Sequence, residues 1–393
     1  MKEKRKLGLR RGLSLLPANA DTYRIGRGEK SVILTTPFAR TATIAIAKGQ
    51  DPFAQVPASH HWLIEQLITS LAAADLLTQG RREIALPPRY LNEIVERDIA
   101  AQQLRNRCEP ELLQCEWSDA ARAFGHDEGA EILAARATVR VLISGRNRVA
   151  TLLHSLLLAS GVSLVEFIDR FDRAAISDCD IGTSTITAKE YAENFYTYLQ
   201  SQRRSVSLFP LERRPAKQRD SGKDKYATLV IHSGPLDIED LIDWLTARQP
   251  HFVIQSAIAD EITMGPLVIP GVTPCLRCAD LNQVDRLGYS STDRISLTDT
   301  PEIAMVGAHF IASVAAAQIL HFIDSAREGQ SFADITADSA SSAASALSAD
   351  SVASPIARST TVNLQNLLAA KSHSITVHPL CGCGSFREYP KKK

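Results

Sequence analysis

The sequence has neither a net charge nor an N-terminal hydrophobic segment. Its 393 residues include 44 lysines and arginines against 44 aspartates and glutamates. A chain without surplus positive charge has no general reason to bind nucleic acid or a membrane surface. No apolar run follows the basic residues 2–11, so the sequence predicts no signal peptide and a cytoplasmic location.

Long apolar runs are also scarce. The longest, residues 303–323, is rich in alanine and contains His309 and Gln318. About 20 apolar residues suffice to cross a bilayer, but no second segment of this kind accompanies this one. We therefore predict a buried helix of a globular fold here, and no membrane partner.

Cysteine is sparse, yet four of the seven cysteines form two tight pairs. Cys275 and Cys278 form a C-x-x-C motif, and Cys381 and Cys383 form a C-x-C motif about 100 residues later. Without a secretory signal, such pairs favour metal binding over disulfides. Four thiolates in a tetrahedral arrangement suit zinc, and a closed four-sulfur site is structural because no position is open to substrate.

The other candidate roles for thiols are weaker. His378 competes as a zinc ligand, although a structural histidine beside the site is favoured. A redox C-x-x-C lacks a thioredoxin-like context. Cys108 and Cys115 are expected to be unpaired structural thiols, with a metal role as the alternative. Cys179 lies between two aspartates, whose negative charge disfavours a reactive thiolate, so we assign no catalytic residue.

A βαβ unit is predicted in the middle of the chain. Residues 139–144 form a continuous apolar run, as expected of a strand buried on both faces. Gly145, a helical pattern to Ser160 and a second apolar run at 162–168 follow. Further strands are predicted at 226–232, 251–258, 262–269 and 361–368, helices at 188–202 and 237–248, and an ordered segment at 374–378.

The turn after the first strand is an incomplete nucleotide-binding loop. Gly145 fits such a loop, but Asn147 and Ala150 replace its second and third glycines. Asn147 adds a side chain where phosphates would approach the helix N-terminus, and the charge of Arg148 could offset this. Asp169 follows at the distance expected of a ribose-binding carboxylate. Gly145, Asn147, Arg148 and Asp169 are therefore the candidate cofactor-binding residues, and ATP binding stays open.

The first part of the chain has a different pattern. Short strands at 12–17, 22–25 and 31–35 precede a helical pattern at 60–77. This order predicts a small winged-helix-like α+β domain, residues 1–85, whose edge strand near 31–35 could accept a peptide strand. Residues 86–135 are predicted to be a helical linker. Residues 331–358, nearly all Ser, Ala and Asp, are predicted to be a disordered insertion.

Two segments carry a resemblance to a known family. Residues 265–278, GPLVIPGVTPCLRC, and the ending His378-Pro-Leu-Cys381-Gly-Cys383 resemble the zinc-knuckle segments of the ThiF/MoeB/HesA family of ubiquitin-activating-like proteins. The resemblance covers roughly residues 136–387. It implies an α/β fold: a Rossmann-like ThiF-type domain with a mostly parallel sheet and structural zinc, formed by residues 136–330 and 359–393. It also implies a homodimer.

Within that family, the chain is most similar to ThiF-like proteins of thiazole/oxazole-modified peptide biosynthesis. This implies two partners, a precursor leader peptide and a YcaO-type cyclodehydratase. Adenylating members of the family hold Mg²⁺ with an aspartate after a later strand, where this chain has Ser233, and their Asn-Leu-x-Arg-Gln stretch is absent. We expect a catalytically degenerate scaffold. The alternatives are an active ATP-dependent adenylating enzyme and a nicotinamide-dependent oxidoreductase, which would leave the four cysteines unexplained.

Overall fold

The computed structural model describes residues 7–19, 22–28, 30–78, 108, 110–115, 130–145, 147–168, 227–236, 238–290, 303–324 and 357–383. The chain divides into two compact units, residues 1–134 and 135–393. Some predictions fall outside the described residues: Asp169, Cys179, the helix at 188–202, most of the predicted linker and nearly all of the Ser/Ala tract.

Within its described residues up to 78, the first unit contains a three-stranded antiparallel sheet and two α-helices. Ile25 and Leu34 of the sheet pack with Ile46, Ile64 and Leu71 of the helices in one buried cluster. The elements are β1 (Gly8–Leu9), β2 (Leu15–Pro17), β3 (Tyr23–Arg27), β4 (Lys30–Leu34), α1 (Pro37–Ala47), α2 (His61–Ala73) and β5 (Leu77–Thr78), with β1 pairing β5 and the others ordered β2-β3-β4.

Helix α1 has a clear physical start. The Thr36 hydroxyl accepts a hydrogen bond from the Ala39 N–H, and Pro37 occupies the first turn, where its missing N–H costs nothing. The three strands and α2 lie close to their predicted positions. The winged-helix assignment stays a prediction.

The second unit is built on one seven-stranded mixed sheet, ordered β12-β11-β10-β9-β8-β6-β7. Strands β7, β6, β8 and β9 are parallel, whereas β10, β11 and β12 add antiparallel strands at one end. The elements from residue 130 onward are α3 (Ala130–Arg136), β6 (Val139–Ser144), α4 (Arg148–Ala159), β7 (Leu164–Phe167), β8 (Ala227–Gly234), α5 (Ile238–Thr246), β9 (His251–Gln255), β10 (Glu261–Val268), α6 (Leu276–Leu287), α7 (Met305–Asp324), β11 (Arg358–Asn363) and β12 (Asn366–Ser374).

The order of the parallel strands creates a crevice. Strand β7, which follows β6 in the chain, lies on one side of β6, and β8 lies on the other side. Such a reversal leaves an opening at the carboxyl ends of the strands, where α/β folds bind their ligands. The end of β6, Ser144, is paired in register with His232 near the end of β8.

The predicted strand at 361–368 is wrong. The segment belongs to two antiparallel strands, β11 and β12, joined by a turn at residues 364–365. The carboxamide oxygen of Asn363 accepts hydrogen bonds from the Gln365 and Asn366 N–H groups. An Asx turn of this kind reverses the chain without glycine or proline. Residues 375–378, expected to be ordered, have no regular secondary structure.

Helix α7 is the core helix of this unit. Among the described residues it is the one helix long and apolar enough to cross a membrane. Its residues Ile311, Ala315 and Ile319 are fully buried in the cluster formed by one face of the sheet and helix α4. The burial of the 303–323 segment is therefore confirmed.

A buried ion pair fixes the end of α7. Arg136 Nε donates to Asp324 Oδ1 at 2.7 Å and its Nη2 donates to Oδ2 at 2.8 Å, while Nη1 donates to the Ser160 carbonyl at 2.9 Å. Both side chains are almost completely buried. Because the pair is bidentate and desolvated, each charge depends on the other.

We expect Asp324→Ala to destabilise the protein by about 3–5 kcal/mol, since it removes the carboxylate that faces the buried Arg136 guanidinium. The control is Glu166→Ala, which breaks the more exposed Arg140–Glu166 pair and should cost about 1 kcal/mol or less. Urea unfolding of both variants measures the difference. Equal decreases in the free energy of unfolding would show that the buried ion pair contributes no more to stability than the exposed pair.

The opposite face of the sheet carries a buried histidine under helix α5. His251 is fully buried and its ring centroid lies 5.4 Å from that of Trp244. Its Nδ1–H donates to the Gln249 carbonyl at 2.9 Å, while Nε2 has no hydrogen-bond partner among the described residues. Burial lowers the pKa of His251 to about 4, against a smaller raising effect of the Gln249 hydrogen bond.

This pKa predicts acid sensitivity. The folded state holds His251 neutral, whereas the unfolded state binds a proton at this side chain below pH 6.5. The free energy of unfolding is therefore unaffected above pH 6.5 and decreases as the pH falls towards 4. The loss is about 1.4 kcal/mol per pH unit and about 3 kcal/mol in total. His251→Phe should flatten this part of the pH profile in urea unfolding. An unchanged slope between pH 6.5 and 4 would contradict the assignment.

Candidate functional site

The two cysteine motifs meet at one point of the second unit. Cys275 occupies the N-cap position of α6, Cys278 lies in the first turn of that helix, and Cys381 and Cys383 follow β12. All four sulfur atoms lie within 4.8 Å of one another. Three of the separations are 3.3 Å for Cys278–Cys383, 3.5 Å for Cys275–Cys381 and 3.9 Å for Cys275–Cys278. Tetrahedral zinc with bonds of about 2.3 Å requires sulfur separations of about 3.8 Å, so this donor set fits the metal.

His378 lies beside this cluster but points elsewhere. Its backbone N–H donates to the Cys278 sulfur at 3.4 Å. Its ring Nε2 contacts Asp285 Oδ2 at 2.9 Å, and Nδ1 accepts from the Leu380 N–H at 3.1 Å. Both ring nitrogens are engaged, so His378 has the structural position that was favoured over a ligand role.

Asn282 ties the two cysteine motifs together. Its Nδ2 donates to the Cys278 carbonyl at 2.8 Å and to the Thr376 carbonyl at 2.9 Å, and the Thr376 hydroxyl donates to its Oδ1. Sequence reasoning missed both Asn282 and Asp285. Their positions one helical turn and nearly two turns after Cys278, on a helix that starts at a C-x-x-C motif, are the signal that could have indicated them.

The surroundings disfavour free thiolates at two of the four positions. Burial raises the pKa of the Cys275 thiol, and burial with hydrogen bonds from Cys278 and Cys381 raises the pKa of Cys383 to about 12. Burial also acts to raise the pKa of Cys278, but the His378 N–H and the other sulfur groups outweigh it and lower that pKa. Metal binding must therefore displace protons here.

The predicted nucleotide loop is closed against strand β8. Gly145 has φ +109°, and a Cβ atom there would collide with the Ser233 carbonyl. Asn147 caps α4: its Oδ1 accepts from the Ala150 N–H at 2.9 Å. Its Nδ2 donates to the Ser233 carbonyl at 3.1 Å, and the Ser233 hydroxyl donates to its Oδ1 at 3.0 Å. The Asn147 side chain thus joins the start of α4 to the end of β8.

The other predicted loop residues lie apart from this contact. Arg148 Nη1 donates to the Ile303 carbonyl at 2.7 Å, just before helix α7. Asp169 lies outside the described residues. The structure therefore brings Gly145 and Asn147 together with Ser233, and it engages Arg148 with the backbone that leads into α7.

A second polar contact at this edge was not predicted. His232 Nε2 donates to the Pro235 carbonyl at 2.8 Å, and the Ser144 hydroxyl lies 3.2 Å from His232 Nδ1. Since a carbonyl only accepts, the neutral ring carries its proton on Nε2 and takes the Ser144 proton in a hydrogen bond at Nδ1. A histidine at the end of an otherwise apolar strand was the available signal.

The mixed sheet, the glycine turn after its first parallel strand and the four-cysteine cluster together define an α/β fold with a candidate zinc site. Comparison with solved structures agrees. The chain is similar to Escherichia coli MccB with AMPCPP and MccA, with a TM-score of 0.58 and 13% identity over 96% of this chain and 99% of that one.

Two further structures show the same similarity. MccB with ATP matches with a TM-score of 0.57 and 13% identity, covering 96% of this chain and 99% of that chain. PaaA matches with a TM-score of 0.56 and 14% identity, covering 93% and 99%. No family model and no curated protein matches the sequence. At these identities the similarity shows the fold alone: it confirms the expected α/β class, whereas the winged-helix-like domain and the structural zinc stay predictions.

We expect Cys278→Ser to lose zinc and to destabilise the second unit by several kcal/mol, because metal binding supplies folding free energy on the order of 10 kcal/mol. Cys115→Ser is the control, since Cys115 is buried outside the four-cysteine cluster. Elemental analysis and thermal unfolding measure both effects. One zinc per chain in both variants would refute the site.

Proposed function

We propose that the protein is a ThiF-like scaffold that binds the leader of a precursor peptide and presents it to a YcaO-type cyclodehydratase in the cytoplasm. In this proposal it activates no carboxylate itself. The observation that carries the proposal is the contact of Asn147 with Ser233 across the crevice where a nucleotide would bind.

The contact between Asn147 and Ser233 opposes nucleotide binding and nucleotide chemistry for two reasons. Phosphates bind helix N-termini through free backbone N–H groups, and Asn147 Oδ1 already accepts from the Ala150 N–H. Metal-assisted phosphoryl chemistry needs a cation to stabilise the developing charge. Ser233 offers no carboxylate for Mg²⁺ at the end of β8, and its carbonyl and hydroxyl both contact Asn147.

Peptide capture is supported by the edge of the first unit. Within the described residues, β4 ends the three-stranded sheet. Arg27 pairs with Lys30 around a two-residue turn, so Ser31 and Ile33 fall at the non-hydrogen-bonded positions of the ladder with β3. Their N–H and C=O groups therefore point to the free edge, where a peptide strand can be added. The side chain of Ile33 is 54% exposed.

The neighbouring structures add weight to a peptide ligand and also favour a second candidate. MccB has been crystallised with MccA, and MccB has been crystallised with ATP and with AMPCPP. An active ATP-dependent adenylating enzyme is therefore the alternative function. It requires that nucleotide displace the Asn147 contacts, and it requires Asp169 to hold the ribose.

ATP titration separates the two functions. We expect MgATP, titrated calorimetrically into the full chain, to bind more weakly than about 1 mM, and Asp169→Ala to change nothing, because the Asn147–Ser233 contact fills the loop. Saturable micromolar binding that Asp169→Ala abolishes, with pyrophosphate release on adding peptide, would establish the enzyme instead.

The peptide edge is tested by Ile33→Pro. Proline removes the outward N–H without removing a hydrogen bond to β3, so the unit should fold while capture of extended peptides falls at least tenfold. The matched control Ile33→Thr keeps the N–H and the β-branched shape. Selection from a displayed random-peptide library measures enrichment, and circular dichroism verifies folding. If a folded Ile33→Pro variant enriches peptides as strongly as the wild type, the edge of β4 is excluded as the peptide-binding site.

A further inference from the structure

The sulfur separations in the four-cysteine cluster indicate which cysteines could form disulfides with each other. Two sulfur contacts, at 3.3 Å and 3.5 Å, join the C-x-x-C motif to the C-x-C motif, whereas the two sulfurs of the C-x-x-C motif are 3.9 Å apart. Four cysteines allow three disulfide connectivities. The two contacts between the motifs favour the connectivity that pairs Cys275 with Cys381 and Cys278 with Cys383.

The two motifs also differ in their access to solvent. Cys275 is 3% exposed and Cys278 is fully buried, whereas Cys381 and Cys383 are partly exposed. A small oxidant therefore reaches the C-x-C sulfurs first, because access to the sulfur limits its oxidation. Each of these sulfurs then has a buried partner within 3.5 Å.

We propose that this cluster is a redox-sensitive centre in which a peroxide exchanges the bound metal for two disulfides between the motifs. The thiolate of Cys381 or Cys383 attacks a peroxide oxygen and becomes a sulfenic acid, and the displaced hydroxide takes a proton from solvent to give water. The thiolate of the buried partner attacks that sulfur, forms the S–S bond and displaces a second hydroxide, which a second solvent proton converts to water. Each disulfide thus consumes two thiolates, one hydrogen peroxide and two solvent protons, and Zn²⁺ leaves as its thiolate ligands are lost.

The exchange preserves the tertiary connection that the metal provides. Both disulfides join the start of α6 to the C-terminal segment, as the four metal–sulfur bonds do. The hydrogen bonds of Asn282 with Thr376 and of Asp285 with His378 hold that segment against α6 independently of the sulfurs. Metal occupancy therefore changes with oxidation while the C-terminal segment stays in place. This inference does not depend on peptide binding.

Peptide mapping tests the connectivity directly. The zinc-loaded full chain is treated with hydrogen peroxide, alkylated and digested with trypsin. Arg277 separates the motif into peptides 249–277 and 278–286, while 372–387 keeps Cys381 and Cys383 together. We expect one zinc released per chain, measured with a chromogenic chelator, and a species joining all three peptides, whose fragmentation gives the 275–381 and 278–383 pairs. Dithiothreitol with added zinc should reverse both changes.

Other results would overturn the proposal. A two-peptide species joining 249–277 with 278–286 would place the disulfide within the C-x-x-C motif. Sulfinic or sulfonic acids without disulfides, or full zinc retention, would exclude the exchange. Cys383→Ser provides a second measurement: it should form only the 275–381 disulfide and leave Cys278 free for alkylation. If that variant does not fold, the wild-type map decides alone.

Discussion

The convergence of four sulfur atoms determines how the C-terminal part of this chain is placed. Cys275 and Cys278 follow β10, and Cys381 and Cys383, about 100 residues later, follow the hairpin of β11 and β12. That hairpin adds two antiparallel strands beyond β10. The sulfur cluster, the Asn282 bridge and the Asp285–His378 contact then bind the returning chain to the start of α6.

The same unit carries the candidate nucleotide loop, which makes contacts within the protein. Its glycine allows close approach, as such loops require, but what approaches is the Ser233 backbone. The Asn147 side chain then uses the helix N-terminus for an internal cap. A hydrogen-bonding group that is committed within the protein is not available to a phosphate. These internal contacts stabilise the fold, and they are the support for the proposed scaffold role.

Patterns with one strong physical cause were predictable from the sequence. The C-x-x-C and C-x-C spacings indicated a shared metal site, and apolar runs marked β6, β8 and β9 because buried parallel strands are apolar on both faces. The roles of Asn147 and Asn282 were not predictable, because each depends on a partner far away in the chain, Ser233 and Thr376. The turn at Asn363 was missed because an Asx turn needs only one side-chain oxygen and leaves no glycine or proline in the sequence.

Zinc K-edge X-ray absorption on the purified full chain tests the metal centre most directly. The account predicts one zinc per chain with a single shell of four sulfur atoms at about 2.3 Å. A shell that contains nitrogen or oxygen ligands, or a chain that folds without zinc, would contradict it.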